Sequence, residues 1–248
     1  MVNDAETRLQ LCGRLVVRWR GRRVDEELPG RQGRLAFVYL TVNRLRAVSR
    51  DELADALWPS EPPAAIDSSL SAIVSKLRRV LGSDALEGRG ELRLVLPENG
   101  WVDVEAASDA IHRAESAVAR SDWAAAWGPA RVALHIATRG FLPREDAPWV
   151  EERRTLLEDV GLRAHECVSA AGLGIGGPEL DAAVRSGRAL VARALHRESG
   201  YRALMQALAA QGNVAEALEV YDLLRCRLRD DLGIAPGPVT QDLYRLLL

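Results

Sequence analysis

Ala64-Ala65-Ile66-Asp67-Ser68-Ser69-Leu70-Ser71-Ala72-Ile73-Val74-Ser75-Lys76-Leu77-Arg78-Arg79-Val80-Leu81 is the stretch on which the reading of this chain turns. At ~100° per residue about a helix axis, Ile66, Leu70, Ile73, Val74, Leu77, Val80 and Leu81 fall in one apolar stripe. Opposite it lie Ser68, Ser71, Ala72, Ser75 and Arg79, with Lys76 and Arg78 on the flanks. That outer face is small and hydroxylated near its start and basic near its end. A helix entering the major groove of DNA needs this layout. Small side chains let its backbone approach the bases, hydroxyls bond phosphate or base edges, and cations neutralise phosphates. The same residues also suit a plain solvated face, so the flanking sequence has to decide.

Working outward, Pro62-Pro63 precede this helix and Gly82 ends it. Upstream, Ser49-Arg50-Asp51-Glu52 reads as a capping box that opens a short helix stopping at Trp58-Pro59. Leu35, Val38, Tyr39, Val42 and Leu45 sit at helical spacing and predict an apolar helix over Leu35–Leu45. Before it, Leu9–Cys12, Leu15–Trp19 and Arg23–Val24 read as short strands, with Arg20-Gly21-Arg22 as a hairpin turn. Downstream, Leu86–Leu96 reads as a hairpin with Gly88-Arg89-Gly90 at its tip and Leu92, Leu94 and Leu96 on one face. Small sheet, three helices, hairpin is the order of a winged helix-turn-helix, an α+β domain over residues 1–100. In that arrangement Arg89 is placed where a wing reaches the minor groove or a flanking phosphate. Arg31 and Arg34, before the apolar helix, suit either backbone phosphate or solvent.

Residues 101–248 carry almost no strand signal. Helices are expected over Val104–Ala119, Asp122–Thr138, Trp149–Gly172, Glu179–Leu195, Gly200–Gln211, Val214–Leu232 and Pro238–Leu247. Gly212-Asn213-Val214-Ala215-Glu216-Ala217 resembles the turn and second-helix start of a tetratricopeptide repeat, with Tyr201, Ala217 and Tyr221 on repeat-like positions. Thirty-four residues before Ala217 stands Ala183, and Ser121-Asp122-Trp123-Ala124-Ala125-Ala126 has the same character off that period. Small Ala at such places lets stacked helices approach closely. The fold class is therefore mainly α: the winged helix followed by an all-α domain of tetratricopeptide-like repeats, or an Ala-rich bundle in its place. Trp123, Trp127, Phe141, Leu142, Pro143 and Trp149 read as apolar anchors of this second half. Gly172-Leu173-Gly174-Ile175-Gly176-Gly177 reads as an inter-helix loop rather than a phosphate cradle, because a helix and not a strand precedes it.

Composition narrows the function. The net charge of −2 averages an N-terminal stretch, residues 1–100, with 16 basic and 14 acidic residues and a remainder with 17 and 21. A slightly basic part beside an acidic part permits a DNA reader joined to a protein-contacting module. No apolar run approaches the ~20 residues that span a bilayer, and no basic-then-apolar leader is present, so a cytoplasmic location and no membrane partner are expected. Cys12, Cys167 and Cys226 are scattered and read as reduced thiols. No P-loop, dinucleotide fingerprint or metal-spaced His pair occurs, so no catalytic residue, metal or cofactor is expected and the chain does not read as an enzyme.

Leu53-Ala54-Asp55-Ala56-Leu57-Trp58-Pro59, then Pro62-Pro63 and Leu70 through Leu81, resembles the winged-helix half of the antibiotic-regulatory-protein family of actinobacterial transcription activators. Ser75-Lys76-Leu77-Arg78-Arg79-Val80-Leu81 is similar to the end of that family's recognition helix. Leu232-Gly233-Ile234-Ala235-Pro236-Gly237-Pro238 and the helix after it resemble the accompanying bacterial transcriptional activation domain. The resemblance implies a DNA-binding activator that dimerises on repeated operator sites in double-stranded DNA and contacts RNA polymerase holoenzyme. It places Ser71, Ser75, Lys76, Arg78 and Arg79 on the recognition helix and Arg89 on the wing. Together with Ser68 and Arg34 from the residue reading, these are the expected DNA contacts. A small-molecule effector stays open. So does a different role altogether: an adaptor or ligand sensor whose repeats bind a peptide or small molecule and whose winged helix contacts protein.

Overall fold

The computed structural model describes residues 6–248 and divides into two compact units. The first holds the described residues up to Glu105 together with Arg139–Leu157; the second holds Ala106–Thr138 and Glu158–Leu248.

The first unit is a winged helix. Strands β1 (Arg8–Gln10), β2 (Val16–Trp19), β3 (Arg22–Arg23) and β7 (Trp101–Val102) form a sheet ordered β3-β2-β1-β7. The β2–β3 turn holds Arg20 and Gly21 both at positive φ, as a two-residue hairpin requires. Helix α1 (Gly30–Val42) buries Leu35, Ala36, Phe37, Val38 and Leu40. It begins earlier than the apolar spacing suggested and ends before Leu45, which is 86% exposed. A two-residue strand β4 (Val48–Ser49) leads into α2 (Arg50–Leu57), where the Ser49 hydroxyl accepts the Glu52 amide at 3.1 Å. Helix α3 (Ile66–Leu81) follows, then β5 (Leu86–Glu87) and β6 (Glu91–Leu94), in a second sheet ordered β4-β6-β5. Strand β7, which the sequence did not announce, runs parallel to β1.

Residues 139–157 complete this unit. Phe141 bridges to Cys12, Leu142 donates its amide to the Leu11 carbonyl at 3.1 Å, and Gly13 donates to Gly140 at 2.7 Å. The Trp149 ring meets Tyr39 edge-on at 5.1 Å and Phe141 at 6.1 Å, and its Nε1 donates to the Ala56 carbonyl. Phe141, Leu142 and Trp149 are thus core residues of the winged-helix unit and not of the helical one. The fully buried Asp103 carboxylate fixes the chain at the same place, accepting the Leu11 and Cys12 amides at 2.9 Å each.

The second unit is helical throughout: most of α4 (Asp103–Ala119), α5 (Trp123–Ala137), the later part of α6 (Pro148–Ile175), α7 (Leu180–Arg193), α8 (Glu198–Ala210), α9 (Val214–Arg227) and α10 (Pro238–Leu247). Ala110, Ala114, Ala130, Ala133 and Ala164 are fully buried with Ile111, the close packing that small side chains permit. Ala183 and Ala217, one repeat apart, are both fully buried in the core shared by α7, α8 and α9 with Tyr201. A Cβ on Gly187 would lie 2.8 Å from the Leu204 Cα, so α7 and α8 touch backbone to backbone there. The glycine run is mostly not a loop. Gly172 and Gly174 lie inside α6, and only Gly176 and Gly177 turn the chain at positive φ.

The Leu-Gly-x-x-Pro-Gly-Pro element has a mechanical explanation. A π-helical turn at Leu228–Leu232 ends on Gly233 in the left-handed region, and Pro238 begins α10 where its missing N–H costs nothing. The Glu198 carboxylate accepts the Gly237 amide at 2.9 Å and the Thr240 hydroxyl at 2.5 Å, placing negative charge at the start of α10. Tyr221 and Tyr244 stack at 4.1 Å to hold α10 against α9. Among the described residues no helix is long and apolar enough to cross a membrane.

Candidate nucleic-acid interface

Helix α3 is anchored by Leu70, Val74, Leu77 and Leu81, a narrower stripe than the sequence pattern gave. Ile66 is 37% exposed, and Ile73 and Val80 are only half-buried. The consequence is a broad outward face on which Ser68, Ser71, Ala72, Ser75, Lys76 and Arg79 are all exposed. Arg78 and Arg79 occupy the last turn, where cations oppose the partial negative charge of the helix C-terminus.

The wing stands beside this face. Gly88 at its tip has φ +84, and a Cβ there would come within 1.8 Å of the Glu91 carbonyl oxygen, so only glycine makes the turn. Arg89 is exposed at the tip. Arg50, Ser71, Val74, Ser75, Arg78 and Arg89 line one cleft of about 240 Å³ between α2, α3 and the wing.

Within that cleft the arginines have different tasks. Arg78 donates to the Leu86 carbonyl at 3.3 and 3.2 Å and to the Gly88 carbonyl, so its guanidinium ties α3 to both sides of the wing turn. Arg50 donates to the Ser71 hydroxyl at 2.8 Å and joins α2 to α3. Sequence reasoning passed over Arg50 because it sits inside the capping box, where only Ser49 and Glu52 carry the helix-start signal. A basic residue at the start of the helix that precedes α3 was the available clue.

Charge sets this face apart. Arg8, Arg14, Arg20, Arg22, Arg23, Arg31, Arg44, Arg46 and Arg93 each lie within ion-pair distance of a carboxylate. Among the described residues of this unit, Arg50, Lys76, Arg78, Arg79 and Arg89 around α3 and the wing have no such partner, nor do Arg18, Arg34, Arg144 and Arg153. Next to them, Glu52 is taken up by Arg46 and the Tyr39 hydroxyl, and the Arg46 guanidinium holds its carboxyl down at about 2.

The structure brings together Ser71, Ser75, Arg78 and Arg89 in the cleft and keeps Ser68, Lys76 and Arg79 on the same helix. Arg34 stands elsewhere. It lies on α1 in a separate pocket with Gly13, Asp25 and Leu142, away from the cleft that gathers the other expected contacts. The reason is that α1 begins at Gly30, which puts Arg34 a full turn inside the helix and half-buried. Arg31 is held by Glu145 and Asp146. Among the described residues no group of three or more His, Cys, Asp or Glu side chains could hold a metal ion.

Comparison with known proteins adds to this geometry. A family model described as the bacterial transcriptional activator domain matches residues 102–248. Regulatory protein AfsR of Streptomyces griseus is 30% identical over 217 residues, covering 88% of this chain and 22% of its own length. Transcriptional regulator RedD of Streptomyces coelicolor is 33% identical over 217 residues, covering 80% of this chain and 58% of its own. Among solved structures, Mycobacterium tuberculosis EmbR in complex with a low affinity phosphopeptide matches with a TM-score of 0.81 and 26% identity, over 98% of this chain and 64% of that one. The chain therefore spans about a fifth of the length of AfsR and under two thirds of the other two.

Proposed function

The chain belongs to the bacterial transcriptional activator domain family, and on that premise we propose that it is a sequence-specific DNA-binding regulator that activates transcription. The observation that carries the proposal is the concentration of cations without carboxylate partners on one surface: Arg50, Lys76, Arg79 and Arg89 around α3 and the wing. Elsewhere in the winged helix most arginines are neutralised by acidic neighbours. Uncommitted cations on an exposed helix face and an adjoining turn are what contact with base edges and flanking phosphates requires. The names of AfsR and RedD as regulators support the same reading.

In this proposal α3 lies in the major groove with Ser68, Ser71, Ser75 and Arg79 toward the bases. Lys76, Arg50 and Arg89 meet phosphate or the neighbouring minor groove. Residues 1–100, extended by 139–157, form the DNA-binding domain. The helical domain pairs two copies on repeated operator sites and contacts RNA polymerase holoenzyme in the cytoplasm. Binding falls with salt because each neutralised phosphate releases counterions.

The test is selection of fragmented genomic DNA by the purified chain at ~150 mM salt, a condition in which non-specific phosphate attraction is largely screened. The expected result is enrichment of a short repeated motif that Arg79→Ala loses. Recovery of no motif would overturn the proposal and favour an adaptor whose helical repeats bind protein.

A further inference from the structure

The pocket that holds Arg34 has a chemistry of its own. It encloses about 460 Å³ within the winged-helix unit, between the β1–β2 turn, the β3–α1 loop, one side of α1 and the segment after Phe141. Its apolar lining is Leu15 and Pro143, which keep exposed surface, with Leu35, Val38 and Leu142 almost fully buried. A concave, largely apolar site with a few placed polar groups is the usual form of a small-molecule site.

The charged lining decides what kind of molecule. Three carboxylates and three guanidiniums border the pocket, and every carboxylate is already matched. Asp25 receives Arg23 at 2.9 Å, Glu145 receives Arg31 at 2.8 Å, and Glu26 lies 3.6 Å from Arg14. Among the described residues no carboxylate pairs with Arg34 or Arg144. The pocket therefore presents an apolar lining and two uncommitted cations, one of them half-buried on α1.

The wall facing α1 is built and held. Leu142 has φ +37, a conformation that a branched side chain reaches only under constraint. The Arg154 guanidinium supplies the constraint, donating to the carbonyls of Phe141 at 2.9 Å, Glu145 at 2.6 Å and Leu142. An open wall of free loop would have no reason to carry that strain.

We propose that this pocket binds a small amphipathic carboxylic acid, its hydrocarbon body against Leu15 and Pro143 and its carboxylate on the Arg34 guanidinium. The site is separate from α3 and the wing, so the inference goes beyond the DNA-binding reading and stands or falls without it.

The probe is 2-naphthoate, with 2-naphthamide as the neutral body and acetate as the head alone, titrated into the full chain by calorimetry and by amide NMR. Naphthoate should saturate a single site, shift the amides of Gly13, Leu15, Leu35 and Leu142, and bind about tenfold or more tighter than the amide, the worth of one charge-assisted hydrogen bond. Arg34→Met keeps the aliphatic stem and should bring naphthoate down to the affinity of naphthamide, leaving the amide unchanged. Arg34→Lys, which restores a charge, should recover part of the difference. Unbound naphthamide on Arg34→Met would signal a misfolded pocket, and Arg34→Gln, which removes the charge and keeps a polar side chain, then reads the charge effect instead. Equal affinity for naphthoate and naphthamide, no loss in the charge-removing variant, or shifts outside the pocket would each overturn the proposal.

Discussion

The Arg78 guanidinium donates to the Gly88 carbonyl, so the turn at the tip of the wing hangs from the helix beside it. Arg79, one residue on, points into solvent with no partner. Adjacent arginines on one helix therefore do different work, and substitution should separate them. Arg79→Ala should weaken specific DNA binding about tenfold, within the ~1–3 kcal/mol of a base or close phosphate contact, and leave the β5–β6 amides as protected as before. Arg78→Ala should weaken binding as well, with faster amide exchange across Leu86–Leu94. Arg78→Lys should resemble it, because an ammonium cannot span two carbonyls as a planar fork does. Unchanged exchange in Arg78→Ala would show that the wing does not depend on this residue.

Gly174 tests packing against propensity. Inside a helix, alanine is favoured over glycine by about 1 kcal/mol. Here a Cβ would stand 2.4 Å from the Trp123 ring, which must move to admit it. Overpacking of that kind costs about 1–3 kcal/mol, so Gly174→Ala should be net destabilising despite its better propensity. Thermal unfolding followed by tryptophan fluorescence reads both the sign and the displaced ring.

What the sequence made legible follows from the range of the interactions involved. Capping at Ser49, the Gly82 stop and the Gly88 turn are decided within a few residues and stand where the sequence put them, and the helices from α4 to α10 all form, with ends shifted by up to a few residues. The exposed outer face of α3 was legible for the same reason, since helical spacing alone aligns Ser71, Ser75 and Arg79. Long-range pairings were not. Strand β7 is only Trp101–Val102 and exists because β1 offers an open edge. Trp149 sits in a helical stretch, and its partners Tyr39 and Ala56 lie about a hundred residues back. The pocket around Arg34 was hidden because its neighbours at 142–145 come from the far side of the helical insertion. The Gly172–Gly177 run misled for a different reason. Glycine signals flexibility in a sequence, whereas here two of its members make room for Trp123 and Ala183.

His165 gives the helical unit an acid sensitivity of its own. The imidazole is buried with Nδ1 unpartnered, and burial, helped by the charge of Arg193, pulls its pKa from 6.5 down to about 4. Between those values the unfolded chain binds a proton that the folded one refuses, so stability falls as pH drops from 6.5 toward 4. At ~1.4 kcal/mol per pKa unit the loss is on the order of 3 kcal/mol. His165→Leu should flatten this segment of the stability curve, measured as urea midpoints at pH 7 and pH 4.5. A wild-type and variant that lose stability in parallel would show that other groups carry the effect.

Trp149 decides where the winged-helix domain ends. Its ring packs edge-on against Tyr39 of α1 and Phe141, and its indole N–H caps the Ala56 carbonyl near the end of α2. Both helices pack against α3, so the ring supports the candidate surface without lying on it. Trp149→Ala removes this packing and should cost about 3 kcal/mol, at the low end for an aromatic truncation because the side chain is only partly buried. Trp149→Phe keeps most of the ring contact and loses one hydrogen bond, about 1 kcal/mol. The loss should register as faster amide exchange in β1, α1 and α2 and leave α7–α9 unchanged. A fragment ending at residue 100 lacks Phe141 and Trp149 altogether and should melt below the same unit in the intact chain. If that fragment were as stable as the unit in the full chain, residues 139–157 would be an accessory to the domain and its boundary would fall at residue 100 after all.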